Sequence, residues 1–161
     1  MTQIHAAERK LDKHDRKILE LLQLDARMSH AEIGEKVGLE RSTVSRRIAL
    51  MQEDGVIAGV TTMLEPRKVG MLTIVFTMVK LRTHGPATLT EFERALLTMP
   101  NIVESAKISG EFDYFLKVWV KDTPGHERIH DQLLSLPMVD QLRGFLVIGS
   151  QTSKPMPLGC T

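Results

Sequence analysis

Apolar positions recur at helical spacing through residues 11–57, and from residue 71 onward strand-like runs alternate with helix-like ones. In "LDKHDRKILELLQLDAR", Leu11, Ile18 and Leu22 share one face of a helix, with Asp12 placed to cap its start. "SHAE" at 29–32 spells a capping box, a hydroxyl and a glutamate that satisfy each other's free amide groups. The helix that follows turns Ile33 and Val37 inward and ends at Gly38, where a left-handed residue closes a helix and opens a tight turn. A third helix runs from about 41 to 54 and stops at Gly55.

"VIAGVTTMLEP" then reads as an extended connector. Strands are predicted over 71–82, 101–109, 112–121 and 139–149, and helices over 87–99 and 125–136, each helix closed by a proline, Pro100 or Pro137. The order βαββαβ is that of the ferredoxin-like split βαβ unit, so the fold class is α+β. Such an antiparallel sheet covers one face with two helices and leaves the other in need of a partner, which predicts a dimer. The expected division is 1–57 for the three helices, 58–66 for a linking strand, 67–150 for the ferredoxin-like domain and 151–161 for a flexible tail.

Composition narrows the class without naming a function. With 42% hydrophobic and 25% charged residues the chain is expected to be globular, not disordered or fibrous. The longest apolar stretch, "MLTIVFTMV" at 71–79, suits a buried strand and falls far short of the ~20 residues that span a bilayer. The start "MTQIHAAERK" has no apolar core before a cleavage site, so a cytoplasmic protein is expected. The single cysteine, Cys160, has no internal partner, which fits a reducing compartment. Ten basic and ten acidic residues in the first sixty balance, so any case for nucleic-acid binding rests on local placement.

That placement is found in "ERSTVSRRI" at 40–48. With Val44 at the centre of the inward face, Ile48 and Met51 fall within about 40° of it, while Ser42, Thr43, Ser45, Arg46 and Ala49 point away. The outward face is short, polar and basic, and it follows a helix and the tight "VGL" turn. This is the layout of a helix-turn-helix, whose second helix enters the major groove of double-stranded DNA. Arg46 suits a bidentate contact to guanine, Ser42, Thr43 and Ser45 allow close approach, and Arg41 and Arg47 on the flanks aim at phosphates. A solvated helix can also carry three arginines, but it does not also require Gly34, Gly38, Val44 and Ile48 as close contact, turn and anchors.

At this point the chain resembles the Lrp/AsnC transcriptional regulators. The segments that carry the resemblance are "LDKHDRKILELLQLDAR", "VGLERSTVSRRIALMQEDGVIAGV", "SGEFDYFLKV" and "LPMVDQLRGFLVI". The resemblance implies a winged helix-turn-helix, a linking strand, and a C-terminal ferredoxin-like (RAM) domain that dimerises and senses a small molecule, usually an amino acid. It also implies homodimers that assemble to octamers, a palindromic operator, and neither enzymatic activity nor a cofactor. In such proteins the loop "SGEFDYFLK" meets the final strand of a neighbouring chain where the effector lies. That implies an effector site of Gly110, Glu111, Asp113, Tyr114, Leu142 and Gly144, in which Asp113 either accepts from an ammonium group or orders the loop. Core packing is the competing reading for Phe112, Tyr114 and Phe115.

Two departures from the family pattern alter expectations. Where many members carry Ser-Pro-x-Pro, this chain has Glu40, Arg41, Ser42 and Thr43; glutamate is a poor N-cap, and Ser42 is a candidate to cap the helix instead. Where many carry Thr-x-Thr in the last strand, this chain has Leu142, Arg143 and Gly144, which implies a bulkier or less polar ligand, or a lost response. An alignment shifted by one residue would exchange the strand's two faces.

Two rival readings use the same residues. "HERIH" places His126 and His130 as in H-E-x-x-H zinc sites, but no later histidine or glutamate supplies a third ligand. The βαββαβ order is also that of RNA-recognition motifs, against which Glu111 and Asp113 would repel phosphate.

Overall fold

A computed structural model describes residues 10–149 and 154–159. The described residues fall into two compact units, 10–62 with 154–159, and 63–149.

The first unit holds α1 (Lys13–Leu24), α2 (His30–Val37) and α3 (Arg41–Glu53). Both α1 and α2 begin in capping boxes, Asp12 with Asp15 and Ser29 with Glu32. The Ser29 hydroxyl and backbone N–H hold the Glu32 carboxyl below the usual carboxylate range. Gly38 adopts φ 70°, the left-handed close of α2. Gly34 has a separate requirement: a Cβ there would overlap the Leu39 carbonyl oxygen, so only glycine lets α2 approach the turn this closely. Ile18, Leu19, Ile33, Val44, Ile48 and Met51 form the core of the unit. The inward face of α3 is therefore the one its spacing predicts.

Residues 58–65 carry no strand pairing in the single chain, and a short 3-10 turn, Pro66–Val69, follows them. The expected linking strand thus lacks a ladder partner here, because its own unit offers no strand edge. The expectation of a flexible tail also needs revision for residues 154–159. Gln23 Nε2 donates to the Met156 carbonyl at 3.1 Å, Arg16 Nη1 donates to the Gly159 carbonyl, and Leu158 packs on the helical core. Cys160 lies outside the described residues.

The second unit runs β1 (Thr73–Leu81), α4 (Pro86–Leu97), β2 (Ile102–Lys107), β3 (Tyr114–Val120), α5 (Thr123–Leu134) and β4 (Val139–Leu146). The strands form one antiparallel sheet in the order β2-β3-β1-β4, the expected ferredoxin-like topology. Alternation is clean in β3: Tyr114, Leu116, Val118 and Val120 point into the core against Phe92 and Leu96 of α4 and Ile129 and Leu133 of α5. The opposite face carries Phe76 and Phe115, with ring centroids 5.2 Å apart, and Phe145, half exposed. The helices end at 97 and 134, three residues ahead of Pro100 and Pro137, since the residue before a proline is already pushed out of helical geometry.

Candidate DNA-contacting surface and sensing loop

The start of α3 has no side-chain cap. Glu40 occupies the N-cap position without a capping bond, and Ser42 lies inside the first turn, so Ser42 does not act as the cap. The side chains of Arg41, Ser42, Ser45 and Arg46 are exposed and that of Thr43 is half-buried. The uncapped first turn leaves backbone N–H groups directed outward, where a phosphate would be favoured.

Arg47 is a different case from its neighbours. Its Nη1 lies 2.8 Å from Asp12 Oδ2 and 2.8 Å from Asp15 Oδ1, and the Asp15 side chain is only 3% exposed. Its Nε is buried without a hydrogen-bond partner among the described residues. The Asp15 and Asp12 carboxylates raise the Arg47 pKa further above its usual value. Asp12 is in turn lowered, first by the Asp15 backbone N–H and then by Arg47 against the opposing effect of desolvation. The expectation that Arg47 aims at phosphate is corrected here: the guanidinium ties α3 to α1. Sequence spacing put Arg47 on the flank of the inward face, but the carboxylates that hold it stand 32 and 35 residues earlier.

In the second unit the loop between β2 and β3 contains Gly110 at φ 129°, a conformation that side-chain-bearing residues rarely adopt. Asp113 fastens this loop to the end of β1. Its N–H donates to the Val79 carbonyl at 2.9 Å, its Oδ2 accepts from Leu81 N–H at 2.8 Å, and its Oδ1 lies 2.9 Å from His84 Nε2. Of the two readings of Asp113, loop ordering is thus directly visible in the geometry. Glu111 Oε1 sits 3.5 Å from Arg143 Nη2, and Arg143 lies over the Phe112 ring, 5.0 Å from its centroid.

Within the single chain, the side chains of Tyr114 and Leu142, and Gly144 with them, stand apart from this loop. Tyr114 is buried against Phe92, its hydroxyl donating to Glu93 Oε1 at 2.9 Å, and burial followed by the Glu93 carboxylate raises its pKa to about 12. Leu142 pairs with Val79 and packs on the core beneath the helices. Gly144 pairs with Thr77, and a Cβ on it would stand 3.5 Å from Val75 and 3.6 Å from His126 Nε2. It lines a separate cavity of about 520 Å³ with His126, Val120 and Leu146. Within one chain, β1 separates β3 from β4, so the loop meets the last strand through Arg143, whose side chain takes the other face. Alternation could have drawn attention to Arg143; nothing in the sequence pointed to His84.

His126 and His130 have ring centroids 6.1 Å apart, and among the described residues no group of three or more His, Cys, Asp or Glu side chains is placed to hold a metal.

A helix-turn-helix with a free polar face, followed by a ferredoxin-like unit with an ordered glycine–acid loop, defines a DNA-binding regulator with a ligand-binding domain. Residues 11–58 match the winged helix-turn-helix DNA-binding family, and residues 74–156 match the Lrp/AsnC ligand binding domain. The chain is 38% identical over 127 residues to the glutamate uptake regulatory protein of Zymomonas mobilis subsp. mobilis, covering 79% of this chain and 77% of that one. It is 33% identical over 139 residues to the leucine-responsive regulatory protein of Escherichia coli (strain K12), covering 86% and 85%. An AsnC family transcriptional regulator from Agrobacterium tumefaciens superposes with a TM-score of 0.85 at 30% identity over 91% of this chain and 97% of that one. A transcriptional regulator from Neisseria meningitidis in complex with L-Met superposes with a TM-score of 0.82 at 28% identity, with the same coverage. The protein belongs to the Lrp/AsnC family and is a DNA-binding transcriptional regulator. The zinc-peptidase and RNA-binding readings find no support in these relationships.

Proposed function

We propose that Arg41, Ser42, Thr43, Ser45 and Arg46 form the DNA-reading set and that Arg47 supports them from behind. The observation that carries this reading is the contrast along α3: Arg47 is held by two carboxylates, whereas Arg41 and Arg46 are exposed and make no ion pair among the described residues. Arg46 reads a base edge and Arg41, with the uncapped amides, holds phosphate. The test is affinity on specific and scrambled duplexes at two salt concentrations. Arg46→Ala is expected to lose about 1–3 kcal/mol on the specific duplex and less on the scrambled one. Equal losses on both duplexes would remove Arg46 from the base-reading role.

The regulator acts in the cytoplasm as a homodimer joined through the open sheet face and built up to an octamer, and it binds a palindromic operator. The aromatic cluster on that face supports the dimer, and no helix among the described residues is long and apolar enough to cross a membrane. The effector is an amino acid, a reading supported by the relatives' names and by the L-Met bound in the Neisseria protein. It binds where the loop of Gly110, Glu111 and Asp113 meets a neighbouring chain. The discriminating measurement is a thermal-shift screen of the twenty amino acids on wild type, Glu111→Gln and Asp113→Asn. Unchanged responses in both variants would move the site away from this loop.

A further inference from the structure

The first unit contains an apolar groove that neither DNA reading nor effector sensing uses. It has a volume of about 600 Å³ and is walled by Leu11 and Leu22 of the α1 side, Met28, Ile48 of α3, and Ile57 and Val60 of the connector. Residues Met156, Pro157, Leu158 and Gly159 lie along it as part of the same compact unit. The tail is held at three points: the carbonyls of Met156 and Gly159 accept from Gln23 and Arg16, and Leu158 is partly buried on the helical core. The Met156 side chain, 73% exposed, takes no part in the anchoring.

We propose that the α1 side of this groove is a peptide-docking seat for the chain's own C-terminal segment, which forms one wall of the groove, and that the seated segment braces α1. The segment is suited to the role. Pro155 and Pro157 restrict the backbone before docking, so little conformational entropy is lost when the strap seats. Recognition is by main-chain carbonyls plus one aliphatic anchor, a mode in which extended, proline-restricted peptides bind apolar grooves. The location gives it a consequence. Arg16 and Gln23 stand on the helix whose Asp15 and preceding Asp12 hold Arg47, so the strap steadies the support of α3.

The experiment compares the full chain with full-length Leu158→Asp, using Met156→Asp as a control. A fluorescent peptide with the sequence of residues 154–159 is titrated into each, and amide exchange is followed across α1. The peptide is expected to bind Leu158→Asp at least about tenfold more tightly than wild type, since in wild type the chain's own segment already holds the seat on α1. Exchange at residues 17–24 is expected to rise several-fold in Leu158→Asp and to stay at the wild-type rate in Met156→Asp. Peptide affinities that are equal for wild type and Leu158→Asp, or unchanged exchange in α1 of Leu158→Asp, overturn the proposal. An equal effect of the two substitutions overturns the assigned anchor.

Discussion

At the scale of single residues, two side chains with ordinary sequence surroundings acquire their roles from what they face. Arg47 and Arg46 are adjacent, yet one is clasped by Asp12 and Asp15 and the other is exposed. Truncating Arg47 removes the ion pairs it makes with Asp12 and with the buried Asp15 carboxylate. Arg47→Ala is therefore expected to destabilise the helix-turn-helix unit by about 3 kcal/mol, the lower end for breaking a buried pair. Chemical denaturation followed by circular dichroism measures this, and a loss no larger than that of Arg46→Ala would contradict the clasp. Tyr114 makes a second, pH-dependent case. With its folded pKa near 12 against an ordinary 10.0, the folded state keeps a proton that the unfolded chain gives up. The stability this group contributes is complete below pH 10.0 and lost as pH rises toward about 12, in total about 3 kcal/mol at ~1.4 kcal/mol per unit. Stability measured from pH 9 to about 12 should fall more steeply for wild type than for Tyr114→Phe. Since Tyr114 is the chain's one tyrosine, tyrosinate absorbance reads its titration directly.

At the scale of the element, α3 is a recognition helix that starts without a cap. Replacing Glu40 with serine supplies an oxygen that accepts from the first turn, and is expected to stabilise the unit by about 1 kcal/mol. Thermal unfolding checks the gain. The same measurement with DNA present tests the cost, because a serine that occupies the free amides competes with phosphate for them. A higher melting temperature together with weaker non-specific DNA binding is the expected pair of outcomes. The sensing loop shows the opposite strategy. Asp113 spends both carboxylate oxygens on fixed neighbours, Leu81 N–H and His84, so Asp113→Ala is expected to cost about 1–3 kcal/mol through the backbone group it leaves unpaired. A smaller loss in Asp113→Asn, which keeps an acceptor for Leu81, would separate the hydrogen bond from the charge.

At the scale of the whole molecule, the open sheet face is the feature that a single chain does not explain. Phe76 and Phe115 pack there beside Phe145, on a sheet whose other face is the one that α4 and α5 pack against. A fragment covering residues 66–149 is expected to dimerise without the helical unit, since the face lies entirely within it. Sedimentation at micromolar concentration is the measurement. A monomeric fragment would remove the physical reason for an operator with two half-sites about one helical turn apart.

What the sequence determined by itself was local. The caps at Asp12 and Ser29, the left-handed Gly38, the inward stripe of Val44, Ile48 and Met51, and the βαββαβ order follow from short-range spacing, which one chain segment specifies without help. What only the tertiary structure decided was pairing over distance. Arg47 found its carboxylates on another helix, Asp113 found His84 and the end of β1, and the tail found a groove on α1. Leu142 and Gly144 turned to the helix face while Arg143 met the loop, because strand pleating gives consecutive residues opposite sides and the sheet order sets what each side meets. Those partners stand many residues apart in the chain, and periodicity carries no record of them.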